Sequence, residues 1–349
     1  MTATSRRTIS IAMAVFNGER YLPEQLDSIA SQTRLPDEMV IADDASLDDS
    51  LGVIRRFSKN APFPVRLVRH PNNVGILENF YSAFDATTGD IIFYCDQDDV
   101  WRTDKIARIM ASLQPGTTLA MHQSEIVGPA LEPLHRVAPG NARYGRFAFP
   151  ADTGTIHGYG HQMAFPKRVL GLMHRLRPSS EAVSPSGFAR DLDRYIPFCA
   201  SLLGDIVALA EPLVRFRRHA SATSPAGAAS TGAVGWGERT RYLIERDITR
   251  IGLRIAILER AAADGALPRS QALRLLRPLR SQAAIAHRQQ AALVARGLAR
   301  IAAPGVLVPG LAGGGFSNDR RLRALGLGCI AALVPRRPAD RPGHAGLAG

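Results

Sequence analysis

The sequence predicts an α/β fold, a parallel sheet wound by helices, with a helical appendage at its C-terminal end. Over the first hundred residues, short β-branched runs alternate with apolar stripes at helical spacing, the pattern of strands joined by crossover helices. Polar clusters follow four successive runs, where a wound sheet offers its ligand site. After residue 220 the composition changes: Ser221 to Gly235 is mostly Ala, Gly, Ser and Thr, as in a linker.

Ile9 to Val15 reads as the first strand, and Leu22, Leu26 and Ile29 as the stripe of the helix after it. Met39 to Ile41 is the second strand, and Ser46 with Asp49 forms a capping box for a helix through Val53, Ile54 and Phe57. Val65 to Val68 is the third strand, followed by a helix bearing Ile76, Leu77, Phe80, Tyr81 and Phe84. Ile91 to Cys95 is too short for a helix and rich in strand formers. Thr103 caps a helix with Ile106, Ile109, Met110 and Leu113 on one face. Residues 128 to 160 are Gly- and Pro-rich, as acceptor-site loops often are, and the segment from His161 to Phe165 resembles a strand. A helix over Leu192 to Leu203 and two strands, Ile206 to Leu209 and Leu213 to Phe216, close the core.

These elements divide the chain into a body (1–220), a linker (221–235), a basic helical segment (236–300) and a loosely ordered Arg-, Gly- and Pro-rich tail (301–349). Within the third part, Ile244, Ile248, Ile251, Ile255 and Leu258 mark one amphipathic helix. A second runs from about Leu267 to Leu298, interrupted near Pro278.

The net charge of +12 lies wholly beyond residue 235: Trp236 onward carries 19 Arg, no Lys and 7 acidic residues. A basic tail on a neutral body argues against a nucleic-acid enzyme, whose positive field should surround the cleft. It suits peripheral contact with an anionic membrane instead, with a helical hairpin that presents a solvated basic face as the alternative. Three widely separated cysteines, Cys95, Cys199 and Cys329, suggest a reducing compartment. The polar, basic start and the lack of a bilayer-length apolar run lead to the expectation of a cytoplasmic protein, soluble or peripheral at the inner face of the cell membrane.

The chemistry concentrates at the strand ends. Asp96, Asp98 and Asp99 follow a buried strand, where capping a helix would need one carboxylate. In extended backbone Asp96 and Asp98 share a side, so they suit one hard divalent cation, Mg²⁺ or Mn²⁺, held against a diphosphate. Asp43 and Asp44, after the second strand, suit ribose hydroxyls or a base N–H, with an Asx turn as the alternative. Asn73 and Gly75 stand after the third strand, where a simple turn with Gly75 at positive φ is the alternative. No phosphate-cradling Gly-rich loop is present, and a haloacid-type phosphatase would need an acidic pair where Asn17 stands.

The segments Ala14-Val15-Phe16-Asn17-Gly18, Asp43-Asp44-Ala45-Ser46, Asn72-Asn73-Val74-Gly75 and Cys95-Asp96-Gln97-Asp98-Asp99-Val100-Trp101 together resemble family 2 glycosyltransferases, in particular bacterial rhamnosyltransferase-like members. The likeness extends through Gly160 to Phe165, Asp193-Arg194-Tyr195 and Glu211 to His219, and fades after Ser221. It implies a GT-A fold and a metal at the Asp-X-Asp motif, with Asp98 the primary ligand, Asp96 shared with the donor and His219 a further contact. It implies that Phe16, Asn17, Asp43, Asp44, Asn73, Gly75, Asp96 and Arg217 bind a nucleotide-diphospho-sugar. Asp193 becomes the candidate general base for a saccharide or lipid-linked acceptor, with Asp191 or a helix-capping role as alternatives. The implied reaction is inverting transfer of a sugar, rhamnose first, to a cell-surface polysaccharide or glycolipid. The competing classes are a nucleotidyltransferase, which should carry a basic Gly-rich loop, and a non-catalytic nucleotide-sugar scaffold.

Overall fold

The structure is a computed structural model that describes residues 6–137, 144–147, 158–177, 192–220, 251–252, 254–265 and 267–302. Its centre is a ten-stranded sheet. The first half follows from the sequence alternation: β1 (Ile9–Val15), α1 (Leu22–Ala30), β2 (Glu38–Asp43), α2 (Ser50–Asn60), β3 (Val65–Arg69), α3 (Ile76–Asp85) and β4 (Ile91–Cys95). These four strands pair in parallel in the order β3-β2-β1-β4.

Period-two alternation sorts β1 between two layers. Ile9, Ile11, Met13 and Val15 pack with Leu22, Leu26 and Ile29 of α1 and Ile54 of α2. Ala12 and Ala14 face Phe80, Tyr81 and Phe84 of α3. Since both faces are covered, the strand is apolar almost throughout, as expected of a parallel sheet between helical layers. Ser10, the polar exception, is buried and donates to Glu38 Oε1 at 2.6 Å.

β5 (Val100–Trp101) and α4 (Lys105–Ser112) follow the acidic loop, then β6 (Thr117–Val127), β7 (Pro133–Val137), β8 (Gly145–Phe147), β9 (Met163–Pro166) and α5 (Lys167–Leu176). α6 (Leu192–Leu203) and β10 (Asp205–Arg217) complete the sheet, whose order runs on from β4 as β9-β6-β10-β5. β9 is antiparallel to both β4 and β6.

Several sequence expectations change. The two late strands are one strand, β10, with register irregularities around Pro212, a residue that breaks a ladder without ending the strand. The segment read as a strand from His161 begins with a 3-10 turn at Gly160–Gln162, and β9 starts at Met163. Ser46 and Asp49 form no capping box. Ser46 Oγ accepts the Asn17 N–H at 3.0 Å, and α2 starts beside Asp49 without a side-chain cap. α4 starts at Lys105, two residues after Thr103. β6, the second long strand of the sheet, has no counterpart in the sequence reading, because its Thr, His, Gln, Ser and Glu residues interrupt the apolar pattern.

The chain divides into two compact units, the first comprising Met1–Gly235 and Thr249–Ser281. In α7 (254–263) and the start of α8 (Arg269–Ala302), Leu258, Ala261, Ala272 and Leu276 share a core cluster with Tyr195, Ile196 and Cys199 of α6. α8 continues through Pro278 without the expected interruption. The second unit comprises Trp236–Ile248 and Gln282–Gly349, of which the rest of α8 is described. The linker at 221–235, Ile244, Ile248 and the tail from 303 lie outside the described residues. Among the described residues no helix is long and apolar enough to cross a membrane.

Candidate active site

Parallel pairing of β1, β2, β3 and β4 brings their four polar ends to one edge of the sheet. After β1, Phe16 keeps a 43% exposed ring, while both its main-chain groups are held by one side chain. Its N–H donates to Gln97 Oε1 at 3.0 Å, and its carbonyl accepts from Gln97 Nε2 at 3.1 Å. Asn17 has φ 49°, a left-handed conformation that Asn tolerates, and its Oδ1 accepts the Leu47 N–H at 2.9 Å. Asn17 therefore ties two loops together.

The two aspartates after β2 differ. Asp44 accepts the N–H groups of Val74 and Gly75, one on each oxygen, at 2.6 and 3.0 Å. Gly75 stands at φ 88° at the start of α3, and Asn73 Nδ2 donates to the Asp44 carbonyl at 3.4 Å. Asp44, Asn73 and Gly75 thus build the loop. Asp43 is fully buried; its Oδ2 accepts the Ser46 N–H at 3.3 Å and lies 3.7 Å from Arg69 Nε. Its Oδ1 is buried without a hydrogen-bond partner among the described residues. A buried acceptor of that kind has room for one more donor, from water or from a bound molecule.

The acidic loop after β4 meets the end of β10. Asp98 Oδ2 lies 2.9 Å from His219 Nε2, so two of the three expected metal contacts are together. Asp96 and Asp99 converge instead on His161, with Nδ1 at 3.4 Å from Asp96 Oδ2 and 3.5 Å from Asp99 Oδ2. Asp96, Asp99 and His161 offer ligand atoms all within 4.8 Å of one another. Asp99 is fully buried and accepts the Arg217 main-chain N–H at 3.0 Å on Oδ1.

Burial pushes the Asp98 carboxyl up from its ordinary value, and Asp96 adds to the rise against the opposing pull of His219. Burial, then Asp98 and Asp96, push Asp99 well up. Burial draws the Lys105 ammonium, which lies 3.5 Å from the Trp101 ring centroid, down to about 7. Crowded, desolvated carboxylates of this kind are the setting a hard divalent cation relieves. Among the described residues the ligand atoms that converge are those of Asp96, Asp99 and His161, while Asp98 and His219 form a separate pair; the carboxylates are of the kind that suits Mg²⁺ or Mn²⁺.

Arg217 departs from its expected role on the donor. Its side chain is 1% exposed, its Nε donates to the Asp98 carbonyl at 2.8 Å, and Nη1 donates to the Pro129 carbonyl at 2.5 Å. Nη2 pairs with Glu24 of α1, and the guanidinium carbon lies 4.6 Å from the Tyr21 ring centroid. Three of its five N–H donors thus rest on protein acceptors, which ties the acidic loop to α1. Asp193 lies half-buried in the first turn of α6, and Asp191 lies outside the described residues.

The sequence reading passed over Gln97, Lys105, Ser124 and His161 as site residues. His161 had a signal, a histidine beside the apolar run Met163 to Phe165. Ser124 had none, since the strand that carries it was not recognised.

The Glycosyl transferase family 2 model matches residues 10–170. An uncharacterized glycosyltransferase of Nostoc sp. is 30% identical over 269 residues, which cover 70% of this chain and 76% of that protein. The dTDP-rhamnosyl transferase RfbG of Shigella flexneri is 36% identical over 98 residues, covering 27% of this chain and 34% of that protein. Among solved structures, S. aureus TarS residues 1–349 in complex with UDP aligns with a TM-score of 0.52 at 14% identity, covering 81% of this chain and 91% of that one. At that identity the likeness speaks for the fold, which is GT-A. Together with the ordered strand-end motifs, these similarities make the chain a member of glycosyltransferase family 2.

Proposed function

We propose that the chain is an inverting, metal-dependent glycosyltransferase that moves a sugar from a nucleoside-diphosphate donor to a hydroxyl of a cell-surface polysaccharide or glycolipid. The observation that carries the reading is one edge of the sheet with the partnerless Asp43 Oδ1 and the exposed Phe16 ring at the ends of β2 and β1, beside the crowded acidic loop of β4. Such an edge suits a base at one end and a diphosphate at the other. Rhamnose from a dTDP donor is the first sugar to test, supported by the similarity to RfbG over 98 residues.

In this mechanism the Phe16 ring stacks on the base and Asp43 Oδ1 accepts its N–H. Asp98, Asp96 and His219 would hold Mg²⁺ or Mn²⁺, which when bound supplies Lewis-acid neutralisation of the departing diphosphate. Asp193 takes the proton of the acceptor hydroxyl as that oxygen attacks the anomeric carbon opposite the nucleotide, so the centre inverts. Its place in the first turn of α6 puts it at the positive end of the helix dipole. Contact with an anionic membrane is supported by α8, which has no acidic residue and exposes Arg269, Arg274 and Arg277.

Nucleotide release from dTDP-rhamnose and UDP sugars with Mn²⁺ and a glycolipid acceptor tests the reading, with the product anomer read by NMR. Asp98→Ala is expected to lower turnover by about two to three decades. No release from any donor, or an Asp98→Ala variant as active as the parent, would overturn the proposal.

A further inference from the structure

Behind the acidic loop lies a line of buried polar groups that the roles above do not use. Gln162 Oε1 accepts the Tyr159 N–H at 2.9 Å, which fixes the orientation of its amide. Its Nε2 then donates to Ser124 Oγ at 2.8 Å. The same Ser124 Oγ lies 2.8 Å from His161 Nε2, where a hydroxyl can donate or accept. The tautomer is therefore set at the other ring nitrogen, where a proton on Nδ1 can be shared with carboxylate oxygens. That Nδ1 faces Asp96 Oδ2 and Asp99 Oδ2 at 3.4 and 3.5 Å, and Asp99 Oδ2 has no hydrogen bond among the described residues.

The ring has little room to turn. Tyr159 stacks on it at 5.5 Å with 9° between the planes, and Phe216 lies 4.5 Å away. Lys105 Nζ donates to the His161 carbonyl at 2.8 Å, which anchors the backbone below. His161 is fully buried, whereas the Asp96 and Asp98 side chains are 28% and 18% exposed. An ion arriving from solvent therefore meets the carboxylates first.

We infer that His161 is a positioning residue, whose Nδ1–H sets the spacing of Asp96 and Asp99, and that it is not itself a metal ligand. The inference rests on the metal-dependent reading above for its kinetic consequence. Its structural content, the Nδ1–H tautomer, stands apart from that reading. For His161 to ligate through Nδ1, its proton would have to leave the two carboxylates and move to Nε2, toward Ser124 Oγ. Partners that orient metal ligands in this way typically contribute about 10- to 100-fold in metal affinity or activity.

Histidine ¹⁵N NMR of the full chain, first without metal and then with excess Mg²⁺ and UDP, reads the tautomer directly. A protonated Nδ1 in both states is expected. An Nε2–H tautomer without metal, or loss of the Nδ1 proton when Mg²⁺ is added, overturns the inference. In kinetics, His161→Ala is expected to raise the half-saturating Mn²⁺ concentration about 10- to 100-fold. His161→Asn, whose amide N–H reaches the Nδ1 position, should recover most of that loss, and Ser124→Ala should fall between them. Equal Mn²⁺ requirements for the Ala and Asn variants would overturn it. If His161→Ala does not fold, the NMR of the unsubstituted protein decides. Metal-independent transfer would sink the functional proposal while leaving the tautomer result to be judged on its own.

Discussion

Arg217 donates its main-chain N–H to Asp99 Oδ1 at 3.0 Å, so the end of β10 shapes the acidic loop from behind. The same residue holds the Asp98 carbonyl through Nε at 2.8 Å and reaches Glu24 on α1. Removing the guanidinium leaves buried carbonyls without donors, at roughly 1–3 kcal/mol for each group left unmatched. Arg217→Lys should therefore lower the urea midpoint of the protein measured without donor or metal. The folded fraction should keep a donor KM within about threefold of the parent. An unchanged midpoint with a sharply raised donor KM would return Arg217 to the diphosphate.

Asp43 and Asp44 are neighbours with opposite expected phenotypes. Asp43 Oδ1 has no partner among the described residues, so its loss should be felt when a donor binds. Asp43→Ala should raise the donor KM about 10- to 200-fold while changing kcat little, the signature of binding shared by ground and transition states. Asp44→Ala removes the acceptors of the Val74 and Gly75 N–H groups and should lower stability by about 1–3 kcal/mol. Steady-state kinetics on both variants, beside their denaturation midpoints, separate the roles. Interchanged phenotypes would contradict the assignment.

What the sequence disclosed and withheld here has a physical pattern. β1, β2 and β4 were readable because strands buried on both faces are apolar runs, and the polar clusters sit where those runs stop. β6 was hidden because it supplies Ser124 and His122 to the buried polar layer, so its function disrupts its own pattern. Asp98 and His219, named together from the motif, lie 2.9 Å apart, yet the division between Asp43 and Asp44 depends on where two N–H groups point. Arg217 shows the same limit. A cation beside an acidic loop reads as a ligand group in one dimension, and only its three protein acceptors reveal a scaffold.

Glu38 gives the fold a predictable acid response. It accepts from Ser10 Oγ at 2.6 Å, from the Thr88 N–H and hydroxyl at 2.5 and 2.8 Å, and from Arg66 at 2.6 Å. Burial pushes this carboxyl up, but the bonds from Ser10 and Thr88 and the charge of Arg66 outweigh it, and the net shift is downward. A carboxylate with a depressed folded value stabilises above its unfolded pKa, and that stability is lost as pH falls through the folded value. Glu38→Gln should therefore lose about 1–3 kcal/mol near neutral pH, with the difference shrinking below about pH 4. Urea titrations across that range check it, and a gap that widens on acidification would refute the sign.

Gly18 protects the clamp that Gln97 makes on Phe16. A Cβ at Gly18 would lie 2.5 Å from Gln97 Oε1. The backbone does not have to move, since the far end of a glutamine side chain swings away easily, but in doing so it releases both main-chain groups of Phe16. Gly18→Ala should thus keep the fold, losing no more than about 1 kcal/mol for the exposed hydrogen bonds. The freed Phe16 should lose its fixed place against the donor base, raising the donor KM by about three- to tenfold, a stacking loss of roughly 1 kcal/mol. Gln97→Ala removes the same clamp without adding a methyl and should give the same KM. If Gly18→Ala weakens donor binding and Gln97→Ala does not, the effect belongs to the glycine's backbone, and the clamp plays no part in holding the donor.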